Sequence, residues 1–155
     1  MKKALIGIGL LGVGFGIYSY IKTQLDIFKN TTIKVLRVNS DGIKLKKINL
    51  EVIVEVVNDS TISFDITDYY FDVFLDNLQV ASVTNKNVNQ LIKGSGQSTF
   101  IPIKVSLNTA DVIIGALSGL RDTKLNINGY FGVKKGIVKF RNINVVETIE
   151  LNDFL

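Results

Sequence analysis

The stretch Leu50-Glu51-Val52-Ile53-Val54-Glu55-Val56-Val57 decides the fold class. Leu50, Val52, Val54 and Val56 alternate with Glu51, Ile53, Glu55 and Val57. Successive side chains of an extended strand point to opposite faces, so this alternation gives one face to a core. The same period recurs on the C-terminal side of the stretch. Tyr69, Phe71, Val73 and Leu75 form one such set, Thr99, Ile101, Ile103 and Val105 a second, and Leu125, Ile127, Gly129, Phe131 and Val133 a third. Turn chemistry separates the runs at Asn39-Ser40-Asp41-Gly42, Asn58-Asp59-Ser60, Asp76-Asn77, Lys93-Gly94-Ser95-Gly96 and Lys134-Lys135-Gly136. Several strands at regular turn spacing predict an all-β, antiparallel sandwich. Pro102 falls inside a strand run and predicts an edge or a bulge there. Between 137 and 146 the apolar phase slips from Val138 and Phe140 to Ile143 and Val145, which predicts a second bulge. One segment reads as a short helix near 110–118: Asn108 or Thr109 caps Ala110–Leu117, and Ser118-Gly119 ends it.

On the N-terminal side the pattern is different. Ala4 to Ile21 is 18 residues without a charge, bounded by Lys2-Lys3 and Lys22. As a helix it reaches ~27 Å, close to the hydrocarbon thickness of a bilayer. Tyr18 and Tyr20 sit at one end, where interfacial aromatics are favoured. The expectation is a single-pass membrane anchor with the N-terminus on the cytoplasmic side. Residues 1–29 would be the anchor and juxtamembrane stretch, and 30–155 the β domain. Two rivals stay open. A cleaved signal peptide, with Gly14-Phe15-Gly16 the nearest small-x-small site, would make the protein secreted or periplasmic. A buried core helix is the other. Ile21, Leu25 and Phe28 fall at helical spacing and would pack on the domain or lie at the membrane interface. Gly7-Ile8-Gly9-Leu10-Leu11-Gly12 matches a dinucleotide fingerprint but follows no strand, so no cofactor is expected. Gly12 and Gly16 have a helix-pairing spacing, so a homo-oligomer is conceivable.

Composition removes whole classes of chemistry. The chain has 155 residues, no His and no Cys. It therefore lacks the commonest general base, the commonest transition-metal ligand and any thiol nucleophile. Asp65, Asp68, Asp72 and Asp76 are the one acidic series worth testing. They lack the spacing of a calcium loop and read as a solvated sheet face. No catalytic, cofactor or metal site is expected, and no enzyme. The net charge is +4, and it is unevenly spread: residues 48–85 hold seven acids and no Lys or Arg. The excess positive charge flanks the apolar segment, which argues against a nucleic-acid partner. Lys22, Lys44, Lys46 and Lys47 are candidate contacts for anionic lipid head groups, with a solvated strand face as the equal alternative. Lys134, Lys135, Lys139 and Arg141 form a second basic group at a hairpin tip. Asn30-Thr31-Thr32 and Asn58-Asp59-Ser60 match the glycosylation sequon, a short pattern that chance also produces.

The order of elements from about Lys47 to Glu150 resembles the late-embryogenesis-abundant type 2 family, which includes the water-stress/hypersensitive-response domain. The resemblance rests on four parts. They are the strand Leu50–Val57 with its turn Asn58-Asp59-Ser60, the hairpin Ile66–Val83, the run Ile92–Val105 followed by a helical connector, and the strand Leu125–Val133. That family typically carries Asn-Pro-Asn at the first turn, of which only Asn58 is kept here, and a Gly in the hairpin where this chain has Asn77. The resemblance implies an immunoglobulin/fibronectin III-like sandwich of about seven strands. It implies binding or protective roles and no agreed active site.

Two functional expectations follow. One is a membrane-anchored structural or adaptor protein that presents its β domain to a protein partner, for instance as a minor component of a virion with an internal membrane. The other is a stress-protective module, or one that binds lipid or other hydrophobic ligands, of the late-embryogenesis-abundant type 2 kind.

Overall fold

A computed structural model of the chain describes residues 17–44, 47–108 and 124–150. A helix, α1, covers 17–29. Among the described residues nine strands follow: β1 (Thr31–Lys44), β2 (Lys47–Asn58), β3 (Phe64–Leu75), β4 (Leu78–Asn85), β5 (Gln90–Ile92), β6 (Gln97–Asn108), β7 (Lys124–Lys135), β8 (Val138–Lys139) and β9 (Ile143–Glu150). The structure is thus mostly β, as the alternation predicts, and every strand pair is antiparallel. The expected helix near 110–118 lies outside the described residues.

The strands form two sheets. One has three strands in the order β1-β2-β6, and the other has six, built on β4-β3-β7 with β9 and β8 beside β7 and β5 beside β3. Their apolar faces share one core. Val52, Val54 and Val56 enter it from β2, and Ile101, Ile103 and Val105 from β6. Phe71, Val73, Ile127 and Phe131 enter from the larger sheet, where Phe71 and Phe131 meet edge to face at 5.1 Å. Each fully buried side chain of this size contributes roughly 1.5–3 kcal/mol. Gly129 of β7 is required by close approach: a Cβ there would collide with the Tyr70 carbonyl and the Phe71 ring on β3.

Four local expectations meet a more specific outcome. Pro102 lies on β6, which among the described residues is an edge of the three-stranded sheet, a place that tolerates its missing N–H. The phase slip at 137–146 is a break between β8 and β9, and Phe140 turns inward in that gap. The turn expected at Asn39–Gly42 is instead an irregularity inside β1, with register shifts at Val35/Arg37 and Ser40/Ile43. In the β3–β4 hairpin it is Asp76, not Asn77, that takes the left-handed conformation, with φ 53°. Its carboxylate accepts the Lys124 N–H at 3.1 Å.

A polar knot ties α1 to the sheets. The Asn30 side chain donates to the Asp26 carbonyl at 2.9 Å and closes the helix end. The Asn30 carbonyl accepts the Asp59 N–H at 2.8 Å. Next to it Asn58 is fully buried. Its Nδ2 donates to the Ile62 carbonyl at 2.8 Å, and its Oδ1 accepts Ser60 N–H and Ser60 Oγ–H. The Asn58 carbonyl accepts Gly96 N–H from the β5–β6 turn. This knot also settles the second sequon, because the Asn58 amide is enclosed and already used.

The membrane anchor is corrected here. Among the described residues, no helix is long and apolar enough to cross a membrane, so a single-pass placement, in a cell membrane or that of a virion, is not supported. Part of the expected span is seen doing something else. Tyr20 stacks on Phe140 with ring centroids 5.3 Å apart, and Ile27, about two turns further on, is 1% exposed in the core. The helix end packs on protein. Ala4, the glycine motifs between Gly7 and Gly16, and the proposed cleavage site lie outside the described residues.

Candidate functional site

α1 has two faces of different use. Tyr20 and Ile27, seven residues apart and so on one side of the helix, turn toward the sheets, and Phe28, in line with Ile21 and Leu25, is partly buried against the core. The other side carries Ile17, Tyr18, Ile21 and Leu25, all at least 49% exposed. Ile17, Ile21 and Leu25 recur every four residues and so form a continuous stripe. Lys22, Asp26 and Lys29 border it, and with Tyr18, Ile21 and Leu25 they line a shallow groove of about 340 Å³.

The β7–β8 hairpin brings a second apolar element to the same end of the molecule. Lys134 pairs with Lys139 and Lys135 with Val138, and Gly136 takes the left-handed conformation the tight turn needs, φ 60°. This leaves Ile137 at the tip, fully exposed, beside a half-exposed Val138. An isoleucine held out in water by a two-residue turn gains nothing from folding. The hairpin is fixed against α1 by the Tyr20–Phe140 stack, and Ser19, Tyr20, Thr23, Lys135, Val138 and Phe140 line a groove of about 420 Å³ between them. The two grooves flank α1. Together they present aliphatic side chains rimmed by the ammonium groups of Lys22 and Lys135. That is the chemistry that accepts an acyl chain with an anionic head.

The sequence-derived candidates distribute unevenly around this end. Tyr18 and Ile21 lie on it, exposed, and Tyr20 supports it from behind. Lys22 is exposed on α1. Lys44 and Lys47 pair with one another at the far end of the β1–β2 hairpin, and Lys46 lies outside the described residues. β1 has 14 residues, roughly 40 Å of strand, so Lys22 and the Lys44–Lys47 pair do not form one patch. Leu25 was expected, with Ile21 and Phe28, to pack on the domain or lie at a membrane interface, whereas Ile137 and Val138 were not among the candidates. The signal for Ile137 was available, since an aliphatic residue after Lys-Lys-Gly falls in a turn, where nothing can bury it.

The acidic series does not converge. Asp68 receives the Thr67 hydroxyl and lies over Gly132, Asp72 accepts Tyr70 Oη–H at 2.8 Å, and Asp76 is in a turn. Among the described residues, no group of three His, Cys, Asp or Glu is placed to hold a metal ion. Glu55 on β2 is held below the ordinary carboxylate range by the Ser98 hydroxyl, which donates to it at 2.7 Å, and by Lys34 at 3.0 Å.

No family model and no curated protein matches the chain. Solved structures do. An Arabidopsis thaliana protein solved in solution is 14% identical with a TM-score of 0.59, over 75% of this chain and 77% of that one. A crystal structure of a protein from Archaeoglobus fulgidus is 12% identical with a TM-score of 0.55, over 76% and 92%. A solution structure provisionally described as a late embryogenesis abundant (LEA) protein is 18% identical with a TM-score of 0.51, over 99% and 90%. At these identities what is shared is the fold: the chain is similar in fold to a late-embryogenesis-abundant protein, as the element order from Lys47 to Glu150 implies.

Proposed function

We propose that this protein is a non-enzymatic binding module of the late-embryogenesis-abundant type 2 kind, with its two sheets packed as a fibronectin III-like sandwich. It takes amphiphilic ligands that carry an acyl chain. The observation that carries this reading is the exposed aliphatic stripe of α1, Ile17, Ile21 and Leu25, with Lys22 at its rim, and on the other flank of the helix the β7–β8 hairpin with Lys135, Val138 and an exposed Ile137 tip. Isolated exposed aliphatics are ordinary on a protein surface, whereas aliphatics gathered at one end on two different elements mark a binding surface. The likeness to the structure described as a late-embryogenesis-abundant protein supports the same class, for which binding and protective roles were the expectation.

The binding surface in this reading is an outer groove, not a cavity between the sheets. The inter-sheet space is filled by Phe64, Phe71 and Phe131, each at most 1% exposed. The test is a fluorescence titration of the full-length chain with a dansyl-labelled fatty acid. Saturable binding is expected, weakened at least roughly fivefold by Leu25→Glu and by Ile137→Glu, each of which sets a charge against the chain. Wild-type and variant proteins with equal affinity would exclude this surface.

A further inference from the structure

The outer face of the six-stranded sheet is chemically unlike the end just described. Cα partners in antiparallel strands share a face, so the register defines its rows. One row holds Thr84, Tyr70, Tyr130 and Asn144; the next holds Ser82, Asp72, Asn128 and Val146. The Tyr70 and Tyr130 rings are near-parallel, 28° apart with centroids at 6.1 Å. Tyr70 is 37% exposed in the middle of the face. Its hydroxyl donates to Asp72 Oδ1, which also accepts Gln79 Nε2–H at 2.9 Å and the Ser82 hydroxyl. Asp72 therefore holds donors from both β3 and β4 in place. Asn128, exposed and directly across from Asp72, adds an amide that donates and accepts.

We propose that this face, centred on Tyr70 and Tyr130, is a binding platform for a neutral oligosaccharide. The charge pattern selects the ligand class. The two rows contain no Lys or Arg, and Asp72 is their only charge. A phosphate, a carboxylate or a nucleic-acid backbone would meet a carboxylate and no cation. An apolar partner would bury amide and hydroxyl groups without returning their hydrogen bonds. A sugar ring suits both halves of the surface. Its C–H face packs on an aromatic ring, and its hydroxyls donate and accept as the Asn, Gln, Ser and Asp side chains do. The four strands β4, β3, β7 and β9 span ~14 Å, which favours an extended oligosaccharide over a single sugar. The proposal uses a different surface from the acyl-chain site and is independent of it.

The test uses the full-length ¹⁵N-labelled protein and three neutral probes, cellohexaose, maltohexaose and mannohexaose, followed by amide shifts. At least one probe should give saturable shifts centred on Tyr70, Asn128 and Tyr130. Tyr130→Ala should weaken that binding roughly three- to tenfold. Tyr130→Phe, which keeps the ring, should retain it, and Leu25→Glu on α1 should leave it unchanged. Asn128→Ala, at an exposed position, gives the same test without risk to the fold and should also weaken binding. The proposal is overturned if no probe shifts these residues, if Tyr130→Ala and Asn128→Ala bind like wild type, or if the face proves to be covered by another protein or a second copy.

Discussion

At the scale of single residues, Asn58 is the position where a polar group is most completely committed. It is fully buried and its side chain exchanges hydrogen bonds with Ser60 and Ile62. Asn58→Ala would leave the Ile62 carbonyl and the Ser60 N–H without those partners, and should cost about 2–3 kcal/mol in urea unfolding. Its role was legible only as a turn residue. A turn motif announces where the chain reverses, but not that the turn is sealed by a helix end 28 residues earlier. Glu55 illustrates a different case, a half-buried carboxylate tuned by its neighbours. Its folded-state pKa is lowered, first by the Ser98 hydroxyl and then by Lys34. A depressed carboxylate stabilises the fold above its unfolded-state pKa, and that contribution is lost as pH falls through the folded-state value. Glu55→Gln should therefore flatten the acid side of the Tm-against-pH curve and leave its alkaline side unchanged. A variant with the full wild-type fall on acidification would contradict the assignment.

At the scale of elements, α1 separates what periodicity can and cannot read. The apolar spacing Ile21, Leu25, Phe28 is genuine, yet only Phe28 of the three packs against the core, and Ile27 is buried beside it. The inward face also includes Tyr20, whose ring stacks on Phe140, a partner 120 residues away that no local pattern reveals. A helix apolar on both sides offers two candidate stripes, and tertiary contact chooses between them. Ile27→Ala should cost about 2–4 kcal/mol in a denaturant melt, whereas Leu25→Ala should stay within roughly 0.5 kcal/mol of wild type. The reverse order would mean that the helix is turned the other way. The strands were legible more directly. β2, β3, β6 and β7 fall where the alternation put them, because each buries one face against a common core. β5, with three residues, and β8, with two, are too short to carry a period and exist through their pairing with β3 and β7.

At the scale of the whole molecule, two antiparallel sheets and one docked helix leave a group of exposed aliphatic side chains on α1 and on the β7–β8 hairpin. The sequence made the N-terminal segment look like a membrane span because 18 uncharged residues in a row satisfy the length rule. The rule has no knowledge of Phe140 or of the core that receives Ile27, and it is the packing of 17–29 on the sheets that replaces the anchor reading. The chain has no His and no Cys, and the proposed binding surface is the part of the account open to direct test. The decisive measurement is an amide-shift titration of the ¹⁵N-labelled full-length protein with lysophosphatidylglycerol, an acyl chain with an anionic head, below its micelle-forming concentration. Saturable shifts centred on Tyr18, Ile21, Leu25, Ile137 and Val138 are predicted. Shifts centred on the inner-core residues Phe71 and Phe131, or no saturable change at all, would contradict the account.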